Sequence, residues 1–272
     1  MTIKISVNEV NLEWSGEPTA AAVRNFYKPN ADLILCDGAP VPEGYCLKDD
    51  SAVVLIKRGE LPSKEEMGAL MRARNPDYFL PALSEAVIAI GGAGGLGSAV
   101  AISLARSFVG TLIIADFDVV EPSNLNRQHY FTDQIGMTKV EALKVNLLRI
   151  NPYLNIEVHN CKITPSNVVE IFGEADIVAE CFDTAAAKAM LTENILSKTS
   201  CPLVAVSGVA GHSNVEKITC KKIGSRLTLI GDGVSAAEPG RGLTAAKVGV
   251  AANLQACKII EILVDKYCEN NS

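Results

Sequence analysis

A glycine-rich stretch, residues 86–118, constrains the fold of this chain more than any other feature. It opens with an apolar run that is typical of a short buried strand, and the pattern Gly92-x-Gly94-x-x-Gly97 follows directly. A helix with small and apolar residues comes next, and then a second strand that ends at Asp116. Asp116 lies about 20 positions after Gly97, where a βαβ unit carries its ribose-binding acid. The order strand, glycines, helix, strand and acid predicts a nucleotide-binding site.

Glycines are expected at a phosphate-binding loop, because a backbone without side chains lets a phosphate approach the first N–H groups of the helix. Two other interpretations use the same residues. A tight strand-to-helix turn needs only the glycines, and an NAD-linked oxidoreductase needs the glycine loop and Asp116 alone.

Composition excludes several classes of protein. The chain has 272 residues, with 48% hydrophobic and 21% charged, which is enough for one large domain and a small one. A net charge of −6 argues against nucleic acid as a partner. Eight cysteines without a C-x-x-C pair predict reduced thiols, no zinc site and a cytoplasmic location. No apolar run is long enough for a membrane span or a signal core, so we expect no membrane partner.

The pattern of elements predicts an α/β protein in three parts. Residues 1–60 read as a small ββαββ domain, in which Val23, Phe26 and Tyr27 form the apolar stripe of the helix. Residues 61–85 are predicted to be a helical linker that begins with a capping box at Ser63. Strands and helices alternate in residues 86–272, which predicts a doubly wound, mostly parallel sheet. Near its end we expect an antiparallel strand at 215–219 and a long loop at 231–242.

Three charged residues follow predicted strands and suit a nucleoside triphosphate. Arg127 lies in a polar loop after Asp116, and Lys139 begins the next helix. Cations at these positions match the dense charge of three phosphates. Asp183 follows a buried strand at the same predicted sheet edge, where a carboxylate next to a polyphosphate holds Mg²⁺.

Four motifs together resemble the ThiF/MoeB family of ubiquitin-activating-type adenylyltransferases: GGAGGLGS, DFDVVEPSNLNRQ, IGMTKVEA and CFDTAAAK. The resemblance covers most of the chain and implies an adenylation domain that binds ATP and Mg²⁺. Residues 1–59 resemble the ubiquitin-like sulfur carriers of the ThiS type, which implies a β-grasp-like fold. The family's nucleotide-binding roles fall on Gly92, Gly94 and Gly97 in the phosphate loop, Asp116 at the ribose, Asn124, Arg127, Gln128 and Lys139 at the triphosphate, and Asp183 at Mg²⁺ and the α-phosphate.

The resemblance also implies a reaction and partners. The C-terminal glycine of a ThiS-like carrier would be adenylated, in thiamine biosynthesis or a related sulfur transfer, by a homodimer in which Arg72 or Arg74 reaches the partner's ATP. Paired C-x-x-C motifs are absent, as is a cysteine before the last helix, and Cys181 is first interpreted as a buried apolar residue. The alternatives are the oxidoreductase, a relative that activates a carbonyl of modified tRNA, and a non-catalytic carrier-binding scaffold.

Overall fold

The computed structural model describes residues 2–271, and the chain divides into two compact units, Met1–Leu80 and Pro81–Ser272. The first unit contains one five-stranded sheet with the strand order β2-β1-β5-β3-β4. Strands β1 and β5 are parallel, and the other neighbours are antiparallel. Its elements are β1 (Ile3–Val7), β2 (Val10–Trp14), α1 (Ala20–Tyr27), β3 (Leu33–Cys36), β4 (Ala39–Pro40), β5 (Ser51–Ile56) and α2 (Lys64–Arg72).

Alternation of apolar and polar residues explains the core of this unit. Ile3, Ile5 and Val7 of β1 are buried, and Val23 of α1 packs with them. The predicted capping box is confirmed, because Ser63 Oγ accepts the N–H of Glu66 and the Glu66 carboxylate accepts the N–H of Ser63.

The predicted apolar stripe of α1 is wrong at two positions. Phe26 is 70% exposed and Tyr27 is 41% exposed, whereas Val23 is fully buried. The helix has only eight residues, and the rings of its last turn pack on Trp14, at the edge of the core. Phe26 and Tyr27 stack edge to face beside that ring.

Helix α3 (Phe79–Ser84) spans the division between the units and was not predicted. The second unit contains one seven-stranded sheet with the order β11-β12-β10-β9-β6-β7-β8, in which only β11 is antiparallel to its neighbour. Its elements are β6 (Val87–Gly91), α4 (Gly95–Arg106), β7 (Thr111–Ala115), α5 (Lys139–Ile150), β8 (Asn155–His159), α6 (Val168–Phe172), β9 (Ile177–Glu180), α7 (Ala185–Lys198), β10 (Leu203–Val206), β11 (Thr219–Ile223), β12 (Leu227–Gly231) and α8 (Ala245–Asn270).

The predicted doubly wound sheet is confirmed. Helix α4 packs against α5 and α8, while α6 and α7 pack with each other and cover the other side of the central strands. The strand predicted at 215–219 is wrong, because residues Val215–Lys217 form a 3₁₀ turn and β11 starts after it. Every residue of β11 is exposed, so this edge strand lacks the alternation that reveals a strand.

Candidate functional site

The glycine-rich loop joins β6 to α4, and close packing requires two of its glycines. A Cβ atom on Gly97 would lie 1.8 Å from the carbonyl oxygen of Gly92, so no side chain fits there. A Cβ atom on Gly92, where φ is +100°, would lie 2.9 Å from the carbonyl oxygen of Cys181. Gly94 faces open space, since the nearest atom to its Cβ position is Gln128 Nε2 at 3.9 Å. A phosphate can therefore approach the backbone at Gly94, next to the N-terminus of α4.

We expect Gly97→Ala to weaken ATP binding, because the added methyl group forces the glycine-rich loop apart. Overpacking typically costs about 1–3 kcal/mol, so the Kd for ATP should rise by about 5- to 150-fold. Isothermal titration calorimetry measures this Kd. Gly44→Ala is the matched control, because no atom lies within 4 Å of its Cβ position. A Gly97→Ala protein that binds ATP as tightly as the wild type would show that this loop does not hold the phosphates.

Asp116 follows β7 directly and connects two loops. Its Oδ2 accepts the N–H of Ala93 in the glycine-rich loop at 2.6 Å, and its Oδ1 accepts the N–H of Asp118 at 2.8 Å. A carboxylate oxygen accepts more than one hydrogen bond, so Asp116 retains acceptor capacity for ribose hydroxyls. The predicted ribose ligand thus lies against the predicted phosphate loop.

Lys139 forms an ion pair with Asp118, two residues after Asp116. It is the first residue of α5, its side chain is 8% exposed, and its Nζ lies 2.7 Å from Asp118 Oδ2. The buried hydroxyl of Tyr130 donates to the carbonyl oxygen of Ala93 at 2.6 Å and lies 3.3 Å from the carbonyl oxygen of Lys139. Burial raises the pKa of Tyr130, and the charges of Asp116 and Asp118 raise it further, so Tyr130 stays a neutral donor. These contacts hold the start of α5 against the glycine-rich loop.

The loop that carries Asn124, Arg127 and Gln128 contains a 3₁₀ turn at Pro122–Asn124. Asn124 is buried, and its Oδ1 accepts the N–H of Glu121 at 3.1 Å, so in this structure it organises the loop. Its carbonyl oxygen accepts the N–H groups of Arg127 and Gln128.

Arg127 and Gln128 both face the start of α4. The Cβ position of Gly95 lies 3.7 Å from Arg127 Cγ, and the Arg127 guanidinium donates to Asn126 Oδ1 at 2.8 Å. Gln128 is 8% exposed, and its buried Oε1 has no hydrogen-bond partner among residues 2–271. Buried polar atoms normally have a hydrogen-bond partner. The Gln128 amide lies beside the open space at Gly94, so a ligand bound there could supply the missing partner.

Asp183 lies in the exposed turn between β9 and α7. The Phe182 ring packs at the Cβ positions of Gly91 and Gly92, which brings this turn next to the glycine-rich loop. Below the turn, the fully buried Glu180 accepts the N–H of Phe182 at 2.7 Å and pairs with Lys188 at 2.9 Å. Burial raises the pKa of Glu180, and Lys188 opposes that rise.

The described residues contain no group of three or more His, Cys, Asp or Glu side chains that could hold a metal ion by themselves. Asp183 nevertheless fits Mg²⁺, because this ion typically binds one or two carboxylates together with substrate phosphates.

Cys181 lies under the glycine-rich loop, but its thiol is buried. Its Sγ lies 3.4 Å from Gln255 Oε1, and burial followed by the charge of Glu180 raises its pKa. A neutral, enclosed thiol is a poor nucleophile, which supports the interpretation of Cys181 as a packing residue.

The two upstream arginines belong to the first unit. Arg74 is ion-paired with Glu9 at 3.0 Å, although 78% of its side chain is exposed. Arg72 has no ion pair within the described part of the chain, and its guanidinium lies over the Cβ position of Gly68. Of the two, Arg72 is the side chain that is free to contact another molecule.

Sequence reasoning missed Tyr130, Asp118 and Glu180. The second aspartate of Asp116-Phe117-Asp118 was visible in the sequence, and its position one turn from a strand end was a usable signal. Tyr130 and Glu180 gave no such signal, because their roles depend on contacts with Ala93 and Lys188 that only the fold creates.

Comparison with known proteins assigns this chain to a protein family. Residues 70–272 match the model of the ThiF family, and residues 3–59 match that of the ThiS-like ubiquitin. The chain belongs to the ThiF family and carries a ThiS-like segment in its first unit.

Several relatives share the nucleotide-binding unit. Molybdopterin-synthase adenylyltransferase of Escherichia coli is 32% identical over 189 residues, which is 67% of this chain and 74% of that protein. Adenylyltransferase and sulfurtransferase UBA4 of Candida glabrata is 30% identical over 70% of this chain, and ubiquitin-like modifier-activating enzyme 5 of Caenorhabditis elegans is 39% identical over 37%. The matched region spans only 45% and 27% of the last two proteins.

A solved structure shares the fold. The Escherichia coli tRNA N6-threonylcarbamoyladenosine dehydratase TcdA, in complex with ATP, matches with a TM-score of 0.69 at 20% identity, over 77% of this chain and 99% of that one. At this identity the likeness concerns the fold alone.

In the described part of this chain, no helix combines the length and the apolar character needed to cross a bilayer.

Proposed function

We propose that this chain is an ATP-dependent adenylyltransferase that adenylates the C-terminal glycine of a ThiS-like sulfur carrier protein, in thiamine biosynthesis or a related sulfur transfer in the cytoplasm. The main support is the surroundings of the glycine-rich loop. Arg127 and Gln128 lie near the Cβ positions of Gly95 and Gly94. Lys139 pairs with Asp118, which is joined to the loop through Asp116, and Asp183 follows Phe182, whose ring packs at Gly91 and Gly92. A dinucleotide oxidoreductase needs the loop and Asp116, but it has no use for two cations and a metal-binding carboxylate there.

The reaction joins a carboxylate to a phosphate. An oxygen of the carrier's terminal carboxylate attacks the α-phosphorus of ATP, the bond from that phosphorus to the bridging oxygen breaks, and pyrophosphate leaves with the electron pair. The nucleophile is already an anion, so no general base is required. Catalysis then consists of positioning and of stabilising charge as it moves onto the leaving group.

Each residue has a task in this scheme. The glycine-rich loop and the N-terminus of α4 hold phosphate oxygens, Asp116 holds the ribose, and Arg127, Gln128, Asn124 and Lys139 bind the triphosphate. Lys139 would exchange its contact with Asp118 for a phosphate oxygen or share it between the two. Asp183 would hold Mg²⁺, which when bound neutralises negative charge on the phosphates.

Carrier-dependent exchange of labelled pyrophosphate into ATP tests this function, because adenylation is reversible. We expect exchange only when a protein ending in Gly-Gly is present, and we expect ATP·Mg²⁺ to bind more tightly than NAD in a parallel titration. Absence of exchange with every Gly-Gly carrier tried would refute the function, and tighter binding of NAD would favour the oxidoreductase. Exchange that needs modified tRNA instead would favour the tRNA-activating relative.

We further propose a homodimer in which Arg72 or Arg74 contacts the partner's nucleotide. If so, the responsible Arg→Ala variant loses activity alone, and an equal mixture of it with Arg127→Ala regains about a quarter of wild-type activity. In such a mixture half of the dimers contain one chain of each variant. Each of these mixed dimers has one site in which Arg127 and the partner's upstream arginine are both intact, so about a quarter of all sites are active. The free guanidinium of Arg72 makes Arg72→Ala the variant expected to show this. Full activity in both Arg72→Ala and Arg74→Ala would exclude a shared site.

The ThiS-like unit is proposed to be a docking module and not a substrate. Gly59 continues into Glu60, so there is no terminal carboxylate to adenylate. The segment around it is also held in place, since Asp32 contacts Lys57 and Glu60 pairs with Lys28 at 2.6 Å. The ThiS-like match of residues 3–59 supports one second candidate, a non-catalytic scaffold whose own unit occupies a carrier's docking surface. That candidate requires that deletion of residues 1–60 increase binding or turnover of a separate carrier.

A further inference from the structure

A buried ion pair lies at the base of the loop that joins β12 to α8, and the reaction above does not use it. The side chains of Asp232 and Lys247 are 9% and 5% exposed, and Lys247 Nζ lies 3.6 Å from Asp232 Oδ2. Burying two charges is costly unless further hydrogen bonds satisfy them. Both residues have such bonds, and these bonds connect two loops.

Asp232 fixes the start of the loop 231–242. Its Oδ1 accepts the N–H groups of Val234 at 2.9 Å and Ser235 at 2.7 Å. Burial by itself would raise the pKa of Asp232, but these N–H groups and the charge of Lys247 lower it to about 2. The carboxylate is therefore ionised at any pH at which the protein would be assayed.

Lys247 and Ser235 fix the segment 207–211 that follows β10. Lys247 Nζ donates to the carbonyl oxygen of Ala210 at 2.8 Å, and Ser235 Oγ accepts the N–H of Ala210 at 3.0 Å. The N–H of Gly211 donates to the carbonyl oxygen of Gly242 at 2.8 Å. The ion pair and these hydrogen bonds together hold the loop after β10 against both ends of the loop after β12.

These two loops lie at the same sheet edge as the nucleotide site. The strand order places β9, β10 and β12 on one side of β6, and β7 with Asp116 on the other. Ribose at Asp116 would occupy the β7 side, which leaves the β10 and β12 loops for the second substrate. Val248, which follows Lys247, lies 3.2 Å from the Cβ position of Gly95, so the pair is connected to the glycine-rich loop through adjacent residues.

A glycine tail has no side chains, so a protein recognises it through backbone groups that are held in fixed positions. The segment 207–211 consists mostly of small residues, and backbone hydrogen bonds join it to the loop after β12, from the N–H of Asp232 to Gly208 O at 3.0 Å and from the N–H of Gly233 to Ser207 O at 3.1 Å. Among the described residues, the Asp232–Lys247 pair adds an ion pair to these contacts, and Lys247 also donates to Ala210 O. We infer that Asp232 and Lys247 are positioning residues for the carboxylate-ended tail of the carrier, acting by fixing the loops after β10 and β12. This inference rests on the proposed function.

The test is pyrophosphate exchange by the full chain, with separately purified ubiquitin-like carriers ending in Gly-Gly as the probe. Lys247→Met and Asp232→Ala should raise the KM for carrier about tenfold, equivalent to about 1.4 kcal/mol, while the KM for ATP changes less than about twofold. Asp232→Asn keeps an acceptor for the N–H groups of Val234 and Ser235 but loses the charge that pairs with Lys247, so its KM for carrier should lie between those of the wild type and Asp232→Ala. Lys258→Met, which removes an exposed pair with Glu261 on the same helix, is the control.

The outcomes separate the two proposals. If the wild type catalyses exchange and Lys247→Met has an unchanged KM for carrier, the positioning role alone is wrong. The same conclusion follows if Lys247→Met raises the KM for carrier and the KM for ATP equally. Absence of exchange in the wild type overturns the proposed function and the positioning role with it. If Lys247→Met fails to fold, Ser235→Ala replaces it, because it removes only the hydroxyl that accepts the N–H of Ala210 and so loosens the same two loops. Its carrier KM should rise several-fold, and an unchanged value would refute the inference.

Discussion

Arg127→Lys is expected to lower kcat almost as much as Arg127→Ala, by about 10²–10³-fold, which corresponds to roughly 3–4 kcal/mol. A planar guanidinium binds phosphate oxygens with two parallel hydrogen bonds, and an ammonium group provides only a point charge. Its hydrogen bonds to Asn126 Oδ1 and to the carbonyl oxygen of Ser123 orient this side chain before ATP binds. Under the proposed function, we therefore expect this group to stabilise the transition state more than bound ATP.

Steady-state exchange rates, together with the Kd for ATP, check this expectation. The loss should lie in kcat, and the Kd for ATP should change by much less. Arg106→Lys is the matched control, because Arg106 ends α4, at the opposite end of the helix from the loop. An Arg127→Lys enzyme with wild-type kcat would remove Arg127 from the reaction.

Asp183→Asn is expected to lower kcat by a comparable factor, about 10²–10³-fold, and to shift the Mg²⁺ dependence of the rate to higher concentration. The carboxamide keeps the shape of the side chain but loses the charge that Mg²⁺ requires of a ligand. Glu180 and Lys188 hold the turn from below in both proteins, so the fold should not change.

Mg²⁺ titrations of the exchange rate measure this effect, with Asp265→Asn near the end of α8 as the control. A folded Asp183→Asn protein with the wild-type rate and the wild-type Mg²⁺ midpoint would contradict a metal-binding role for Asp183.

The second unit was predictable because its candidate site residues follow strands whose signals are strong. Buried apolar runs identify β6, β7 and β9, and parallel strands bring their carboxyl ends to one edge. Gly92, Asp116 and Asp183 therefore had to lie near one another.

Other features were not readable, for identifiable physical reasons. The Asp232–Lys247 pair joins residues 15 positions apart through a loop whose path depends on the segment after β10. The exposed β11 has no alternation, so the antiparallel strand was predicted about four residues too early, at 215–219. Phe26 and Tyr27 fit a helical stripe by spacing, but they pack on the Trp14 ring and keep much of their own surface exposed.

The most direct test of adenylation is the intact mass of the carrier after incubation with ATP, Mg²⁺ and this chain. Attack at the α-phosphorus predicts a carrier that is heavier by one AMP, with release of pyrophosphate and no ADP, and no such product with Arg127→Ala. An unchanged carrier mass, or a carrier that gains a single phosphate with release of ADP, would contradict the proposed reaction.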